Sequence, residues 1–319
     1  MNTITELIAN PLPGLAEMSQ FAAILGESPS KGARSPLLWN AAFKALNIEC
    51  EMLPMDVSSE NLESLLEALD QDSRFIGGAV AVPHKEAIAR WLATQSGERL
   101  SPEASAIGAV NALYRNSEGV LCATNTDGEG ALRSLTEKYP ELAGANVLLI
   151  GPGGAGKAVA AFVKRALGPK GQLLISARQP EQIQNFADTI DAFVTPWPPS
   201  QEILSKVDIV INCTVIGSQS TVSVASQTLN LREYTPLADL DENNSIRSTE
   251  LLKELPATGL VFDIIYDPSP SKLLMLAADA GLKTLDGLMM NLEQAVLAFQ
   301  YATGETDSSV RIREEMAKV

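Results

Sequence analysis

Between residues 147 and 158 the chain reads Val-Leu-Leu-Ile-Gly-Pro-Gly-Gly-Ala-Gly-Lys-Ala, which sets Gly151, Gly153 and Gly156 at the spacing G-x-G-x-x-G. An aliphatic run over 146–150 precedes the glycines, an alanine-rich helical stretch over 154–167 follows, and another strand-like run comes at 173–176. In that setting each glycine has its own task. Gly151 allows the tight turn, Gly153 lets the backbone approach a pyrophosphate, and Gly156 lets the helix pack on the strand. Gly154 and Ala155 begin the helix, whose free N–H groups and positive dipole end suit phosphate oxygens. A dinucleotide is the expected ligand. The residue after the second strand separates the two nicotinamide cofactors, because NAD sites usually carry an acid there for the ribose hydroxyls. Ile175-Ser-Ala-Arg178-Gln has no acid and offers a guanidinium, which matches a 2′-phosphate through paired hydrogen bonds. NADP is therefore expected, with NAD as the alternative.

Two ionisable residues stand at strand ends. Lys85 opens a helix directly after the apolar run 75–82. Helix N-termini favour acids, so a lysine there is either solvated decoration or functional. Asp127, in Asn125-Thr-Asp-Gly128, precedes another helix and is either its N-cap or functional. His84 is the single histidine, and Cys50, Cys122 and Cys213 lie far apart, so His and Cys cannot assemble a transition-metal site. Unpaired cysteines at such spacing read as reduced thiols of a cytoplasmic protein. The first residues lack the basic segment of a secretory signal, and no run approaches the ~20 apolar residues of a membrane span. A net charge of −15 excludes nucleic acid as a partner, because that recognition needs a basic face. It also means that an anionic substrate must be held by local cations.

Around these residues strands and helices alternate from residue 21 onward, the pattern of an α/β fold with parallel sheets built from βαβ units. Ser35-Pro36 opens a helix over 37–46, with apolar residues at 37, 38, 41, 42, 45 and 46. Leucines at 62, 65, 66 and 69 mark a second helix, and 111–114 with 120–123 form a hairpin. Strands are expected at 146–150, 173–176, 207–213 and 260–265, with helices at 127–139, 154–167 and 181–190. Residues 1–20 show no period and read as an extension. Residues 218–259 are polar and acidic and read as a long loop with one short helix at 250–255. The last helix, 287–301, is apolar nearly all round and should be buried. A length of 319 residues suggests two domains at about 150 each.

Six segments occur in the order seen in the shikimate dehydrogenase family: Val82-Pro-His-Lys-Glu86, Ile107-Gly-Ala-Val-Asn111, Asn125-Thr-Asp-Gly128, Gly151-Pro-Gly-Gly-Ala155, Asp263-Ile-Ile-Tyr-Asp-Pro268, and Gly287-Leu-Met-Met290 with Gln294. The chain resembles that family from about residue 26 to 303. The resemblance implies an N-terminal α/β substrate domain (1–126 with 287–319), a Rossmann-type NADP domain (127–286), and an active site in the cleft between them. It implies a dehydrogenase acting on a ring CH–OH group: reversible reduction of 3-dehydroshikimate to shikimate, in the pathway to aromatic amino acids. The enzyme would be a monomer or a homodimer. Lys85 and Asp127 match the family's catalytic pair, and Ser35, Asn111, Gln294 and Tyr266 its substrate-binding residues. Gly287 joins Gly151, Gly153, Gly154, Ala155, Gly156 and Arg178 on the cofactor side. His84, beside the matched lysine, is given a structural role. The chain departs from the family pattern at Ala33 and Ala81, where a serine and a threonine are usual, and at Trp39, where a histidine is usual. Each buried hydroxyl lost costs roughly 1–3 kcal/mol. Lys31 and Arg34 are then candidate partners for the substrate carboxylate. Quinate or another cyclic polyol acid is the alternative substrate, and a non-catalytic ligand sensor on the same fold is the other alternative.

Overall fold

A computed structural model describes residues 3–224 and 227–319. The chain divides into two compact units, Met1–Asp127 with Leu292–Val319, and Gly128–Asn291. These boundaries lie one and five residues beyond those expected from the sequence.

The first unit holds a five-stranded sheet of β1 (Phe21–Gly26), β2 (Glu51–Asp56), β3 (Phe75–Val80), β4 (Ala112–Arg115) and β5 (Leu121–Thr124), in the order β2-β1-β3-β4-β5. β1 runs parallel to both β2 and β3, whereas β4 is antiparallel to β3 and β5. Helices α1 (Ser35–Leu46), α2 (Leu62–Gln71), α3 (Lys85–Thr94) and α4 (Pro102–Ile107) connect the strands. The leucine stripe of α2 is fully buried, as its period requires. The β4–β5 turn is built by Asn116, whose Oδ1 accepts from the backbone N–H groups of Glu118 and Val120. Residues 3–20 are not an extension. Ile4, Leu7 and Leu15 enter the same core as Met55, Leu62 and Leu66, and Asn10 bonds the backbone of Pro54 and Asp56 at the edge of the sheet. Ile4 and Leu15 in two 3-10 turns, with Leu7 just after the first, make no period, so a reading that relies on periodicity passes over them.

The second unit begins in α5 (Asp127–Lys138) and is built on a six-stranded, wholly parallel sheet. Its elements follow in chain order as β6 (Asn146–Ile150), α6 (Gly154–Leu167), β7 (Gln172–Ala177), α7 (Pro180–Thr189), β8 (Phe193–Pro196), α8 (Gln201–Leu204), β9 (Ile209–Asn212), β10 (Thr221–Val224), β11 (Gln227–Asn230), α9 (Asn244–Leu252), β12 (Leu260–Asp263), α10 (Lys272–Asp279) and β13 (Lys283–Leu285). The strand order β8-β7-β6-β9-β12-β13 is 3-2-1-4-5-6, the doubly wound Rossmann arrangement. Val147 and Leu149 enter the core on one face of the sheet, and Leu148 and Ile150 that on the other. That two-sided burial explains the unbroken apolar run of β6. The sheet's edge strands β8 and β13 are half-exposed and lack such a run, so they escape a reading of the sequence.

Residues 218–259 carry more structure than the expected loop. β10 and β11 pair as a two-stranded antiparallel sheet, and the helix begins at Asn244 rather than 250. The organiser is polar. The buried Asn244 side chain accepts from Thr235 N–H and donates to the carbonyls of Thr235, Ala238 and Asp239. The chain ends in α11 (Gly287–Thr303) and α12 (Ser309–Met316). Phe299 of α11 packs on Trp39 and Phe43 of α1, with ring centroids 5.2 and 4.9 Å away.

Candidate active site

In the first unit the parallel pair β1 and β3 sends its following segments, which lead to α1 and α3, out at one edge of the sheet. The antiparallel β4 begins at that edge, and β5 ends there. Lys85, Asn111 and Asp127 therefore emerge together although they are spread over 42 positions of sequence. Lys85 Nζ lies 2.5 Å from Asp127 Oδ2, with the two side chains only 15% and 7% exposed. Asp127 Oδ1 accepts from Asn111 Nδ2 at 2.8 Å. Asn111 Nδ2 also lies 3.2 Å from Gln294 Oε1 of α11, and Asn111 Oδ1 accepts from Thr126 N–H at 2.7 Å. Thr126 Oγ1 donates to the Gln294 carbonyl at 2.9 Å, which ties α11 to the strand end. Asn125 makes the turn by accepting from Asp127 N–H and donating to the Ala109 carbonyl.

Lys85 is not a solvated lysine, and the oxygens of Asp127 point at Lys85 and Asn111. An ion pair this deeply placed is held by neighbouring hydrogen bonds, and losing one partner would strand the other charge. Chemically, the pair is an ammonium fixed by a carboxylate, beside two amide side chains that can bond ring hydroxyls. Thr126 and Asn125 were not among the residues singled out from the sequence. Their signal lay in the Asn125–Asp127 motif itself.

The remaining first-unit candidates stand as follows. Ser35 is buried in the first turn of α1. The loop before it is pinned by Asp56, whose oxygens accept from Ser30 N–H and Oγ at 2.9 and 2.5 Å. His84 is buried, with Nε2 at 2.8 Å from the Val57 carbonyl, a contact that anchors the turn leading into Lys85. Arg34 Nη2 donates to the Val319 carbonyl at 2.9 Å, while Lys31 is exposed. Trp39 is fully buried, and its indole N–H has no hydrogen-bond partner among the described residues.

In the second unit the glycine turn follows β6. Gly151 has φ +92°, and a Cβ there would stand 2.4 Å from Thr214 Cγ2. A Cβ on Gly156 would stand 2.1 Å from the Gly151 carbonyl oxygen, so α6 can pack this closely only without a side chain. A Cβ on Gly153 would meet nothing within 4 Å, so its backbone faces open space just before Gly154 and Ala155 start α6. A bare backbone at a helix N-terminus fits a pyrophosphate. The order of strands reverses between β6 and β9, and ligands of such sheets bind outside the carboxyl ends of the strands at that point. Arg178 is exposed just beyond β7 and forms no ion pair among the described residues. Tyr266 is half-buried in the turn after β12, and Gly287 opens α11 with its N–H on the Ile265 carbonyl.

Residues 25–113 match the family model for the shikimate dehydrogenase substrate binding domain. The shikimate dehydrogenase (NADP(+)) of Thermosynechococcus vestitus is 32% identical over 297 residues, covering 92% of this chain and 93% of the relative. The chain belongs to the shikimate dehydrogenase family. Among solved structures of this family's fold, shikimate 5-dehydrogenase from Thermus thermophilus, determined with NADP(H) and shikimate, is 27% identical. It covers 94% of this chain and 99% of that one, with a TM-score of 0.73. A quinate dehydrogenase from Corynebacterium glutamicum, determined with NAD, is 25% identical over similar shares with a TM-score of 0.74. Fold similarity is thus shared by dehydrogenases of both acids.

Proposed function

We propose that this protein is an NADP-dependent shikimate dehydrogenase that interconverts 3-dehydroshikimate and shikimate. The observation that carries the reading is the buried Lys85–Asp127 pair bonded to Asn111, in a chain similar along its length to a shikimate dehydrogenase (NADP(+)). NADPH, when bound, would supply a hydride to the ring carbonyl carbon, which would leave negative charge on the carbonyl oxygen. Lys85 stabilises that charge and gives up its proton to the oxygen, and Asp127 holds the ammonium in place. Asn111 and Gln294 bond ring hydroxyls, Ser35 bonds the carboxylate, and Tyr266 also faces the substrate. The first unit serves as the substrate domain and the second as the NADP domain. There Gly151, Gly153, Gly154, Ala155 and Gly156 receive the pyrophosphate, Arg178 the 2′-phosphate, and Gly287 the nicotinamide end. A cytoplasmic location belongs to the same proposed reading. The three cysteines are free, and among the described residues no helix is long and apolar enough to cross a membrane.

Purified protein assayed with shikimate and quinate, each with NADP and NAD, tests the reading. The expected result is the highest kcat/KM for shikimate with NADP, and oxidation of neither acid with either cofactor would overturn it. In the same assay Arg178→Ala raises KM for NADP by roughly 10- to 100-fold, from the loss of hydrogen bonds to a charged group, and barely changes KM for NAD. Equal effects on both cofactors would remove Arg178 from the 2′-phosphate site.

A further inference from the structure

At the carboxyl end of the second unit's sheet lies a buried polar cluster to which the reaction chemistry assigns no part. Asp263, the last residue of β12, has no solvent exposure. Its Oδ1 accepts from Asn212 Nδ2 at 3.0 Å and from Ile265 N–H at 3.1 Å, and its Oδ2 accepts from Ser271 Oγ at 2.6 Å. Asn212, at the end of the neighbouring β9, extends the cluster. Its Nδ2 also donates to the Ile216 carbonyl at 3.1 Å, while its Oδ1 accepts from Thr214 N–H and Oγ1 at 2.9 and 2.8 Å. Thr214 Oγ1 in turn accepts from Ile216 N–H at 3.0 Å. The far side of Thr214 is its methyl group, which occupies the space a Cβ on Gly151 would need.

An unbroken chain of contacts therefore runs from the Asp263 carboxyl through Asn212 and Thr214 to the first glycine of the phosphate turn. It runs from the end of β12 past the end of β9 to the turn after β6, and β9 and β6 flank the point where strand order reverses. Ser271 continues it the other way, because its Oγ also caps α10 by accepting from Leu274 N–H. The turn 264–270, which bears Tyr266, is thus held at both ends by one carboxyl.

We propose that Asp263 is a positioning residue for the dinucleotide: through Asn212 and Thr214 it sets the loop 213–217 against Gly151, and through Ile265 and Ser271 it sets the turn that carries Tyr266. The inference rests on the NADP reading of the second unit. Three donors converge on a group that burial pushes up to about 7, against a usual carboxylate value near 3.8. Its hydrogen-bond neighbours are neutral, and the charged group acting on it is Asp286, across the turn before α11, which raises it further. The ionised form accepts from all three donors. Protonation reverses the bond to Ser271 and loosens the cluster, so affinity for NADP weakens as pH falls through 7.

The test is the dissociation constant of the full chain for NADP, read by quenching of intrinsic fluorescence between pH 6 and 8.5, for wild type and Asp263→Asn. The asparagine fits the same donors at Oδ1 and donates to Ser271, so it stands for the protonated state at every pH. The ratio of the two constants cancels titration of the cofactor's own phosphates. The expected ratio is near one at pH 6 and rises to roughly fivefold at pH 8.5, the difference between a charged and a neutral hydrogen bond. A ratio of one throughout overturns the proposal, as does a constant ratio that ignores pH, which would signal a merely structural role. Should Asp263→Asn fail to fold, Thr214→Val keeps the methyl against Gly151 and removes the hydroxyl. A folded Thr214→Val protein that binds NADP as wild type does breaks the chain of contacts and overturns the proposal, whereas several-fold weaker binding supports it. Failure of wild type to bind NADP at all would instead reject the cofactor reading on which the proposal stands.

Discussion

Lys85 occupies a position that electrostatics alone disfavours, the first residue of a helix whose N-terminus is electropositive. Asp127 offsets that cost, and the pair stays together because Asn111 and the turn at Asn125 leave the carboxylate little freedom. A group so fixed has lost its conformational entropy before any substrate arrives, which is what proton transfer at a defined atom requires. Replacing Lys85 by Met, which preserves volume, should lower kcat by roughly 10²- to 10⁴-fold and change KM for shikimate by less than about threefold. Steady-state kinetics over a range of shikimate concentrations checks this. An unchanged kcat would remove Lys85 from the chemistry, and thermal melting of the variant separates lost turnover from lost fold.

At the scale of elements, the contact between α6 and β6 shows how one residue type sets the position of a whole helix. Gly156 faces the Gly151 carbonyl so closely that no side chain fits, and Cys213 Cβ closes the other side at 3.2 Å from the same point. Alanine at 156 would gain about 1 kcal/mol of helix propensity. It would also push the helix start away from the strand, and overpacking of this kind costs about 1–3 kcal/mol. Gly156→Ala should therefore melt at a lower temperature and bind NADP at least tenfold more weakly, as calorimetric titration can measure. A variant with wild-type affinity would show that the helix N-terminus is not what receives the phosphates. The same logic of close approach governs α1 and α11, whose contact rests on three interlocked aromatic rings, and α11 carries Gln294 to the site.

For the molecule as a whole, Asp263 makes stability depend on pH in an unusual sense. In the folded protein its carboxyl ionises at about 7, and in the unfolded chain near 3.9. Between those values the folded protein holds one more proton than the unfolded one, so stability falls as pH rises across the window. Most buried carboxylates paired with cations act the other way. The stability of Asp263→Asn relative to wild type should accordingly increase from pH 5 to pH 7, by at most ~1.4 kcal/mol per pH unit, and level off above. Urea denaturation of both proteins at several pH values measures it. A difference that does not vary with pH would mean that the folded carboxyl is ionised throughout. With a net charge of −15, the chain also meets its anionic cofactor and substrate against its own field. Under the proposed reading, Arg178 and the α6 N-terminus supply the attraction.

The amino-acid sequence by itself determined the parts whose physics is local. The glycine spacing, the period of α2, the apolar run of β6 and the Ser-Pro start of α1 need only neighbours along the chain, and each is legible there. The six ordered motifs extended that reading to the family. Only the tertiary structure decided which polar groups are buried and what they touch. Lys85 and Asp127 are 42 positions apart, and neither spacing nor residue type says that they meet. The packed turns before residue 20, the Asn244-centred fold of 235–252 and the Asp263 cluster were hidden for the same reason. Each is organised by a few side chains bonding to distant backbone or to each other, and such contacts leave no period in the sequence because their energy comes from burial, which the folded chain alone defines.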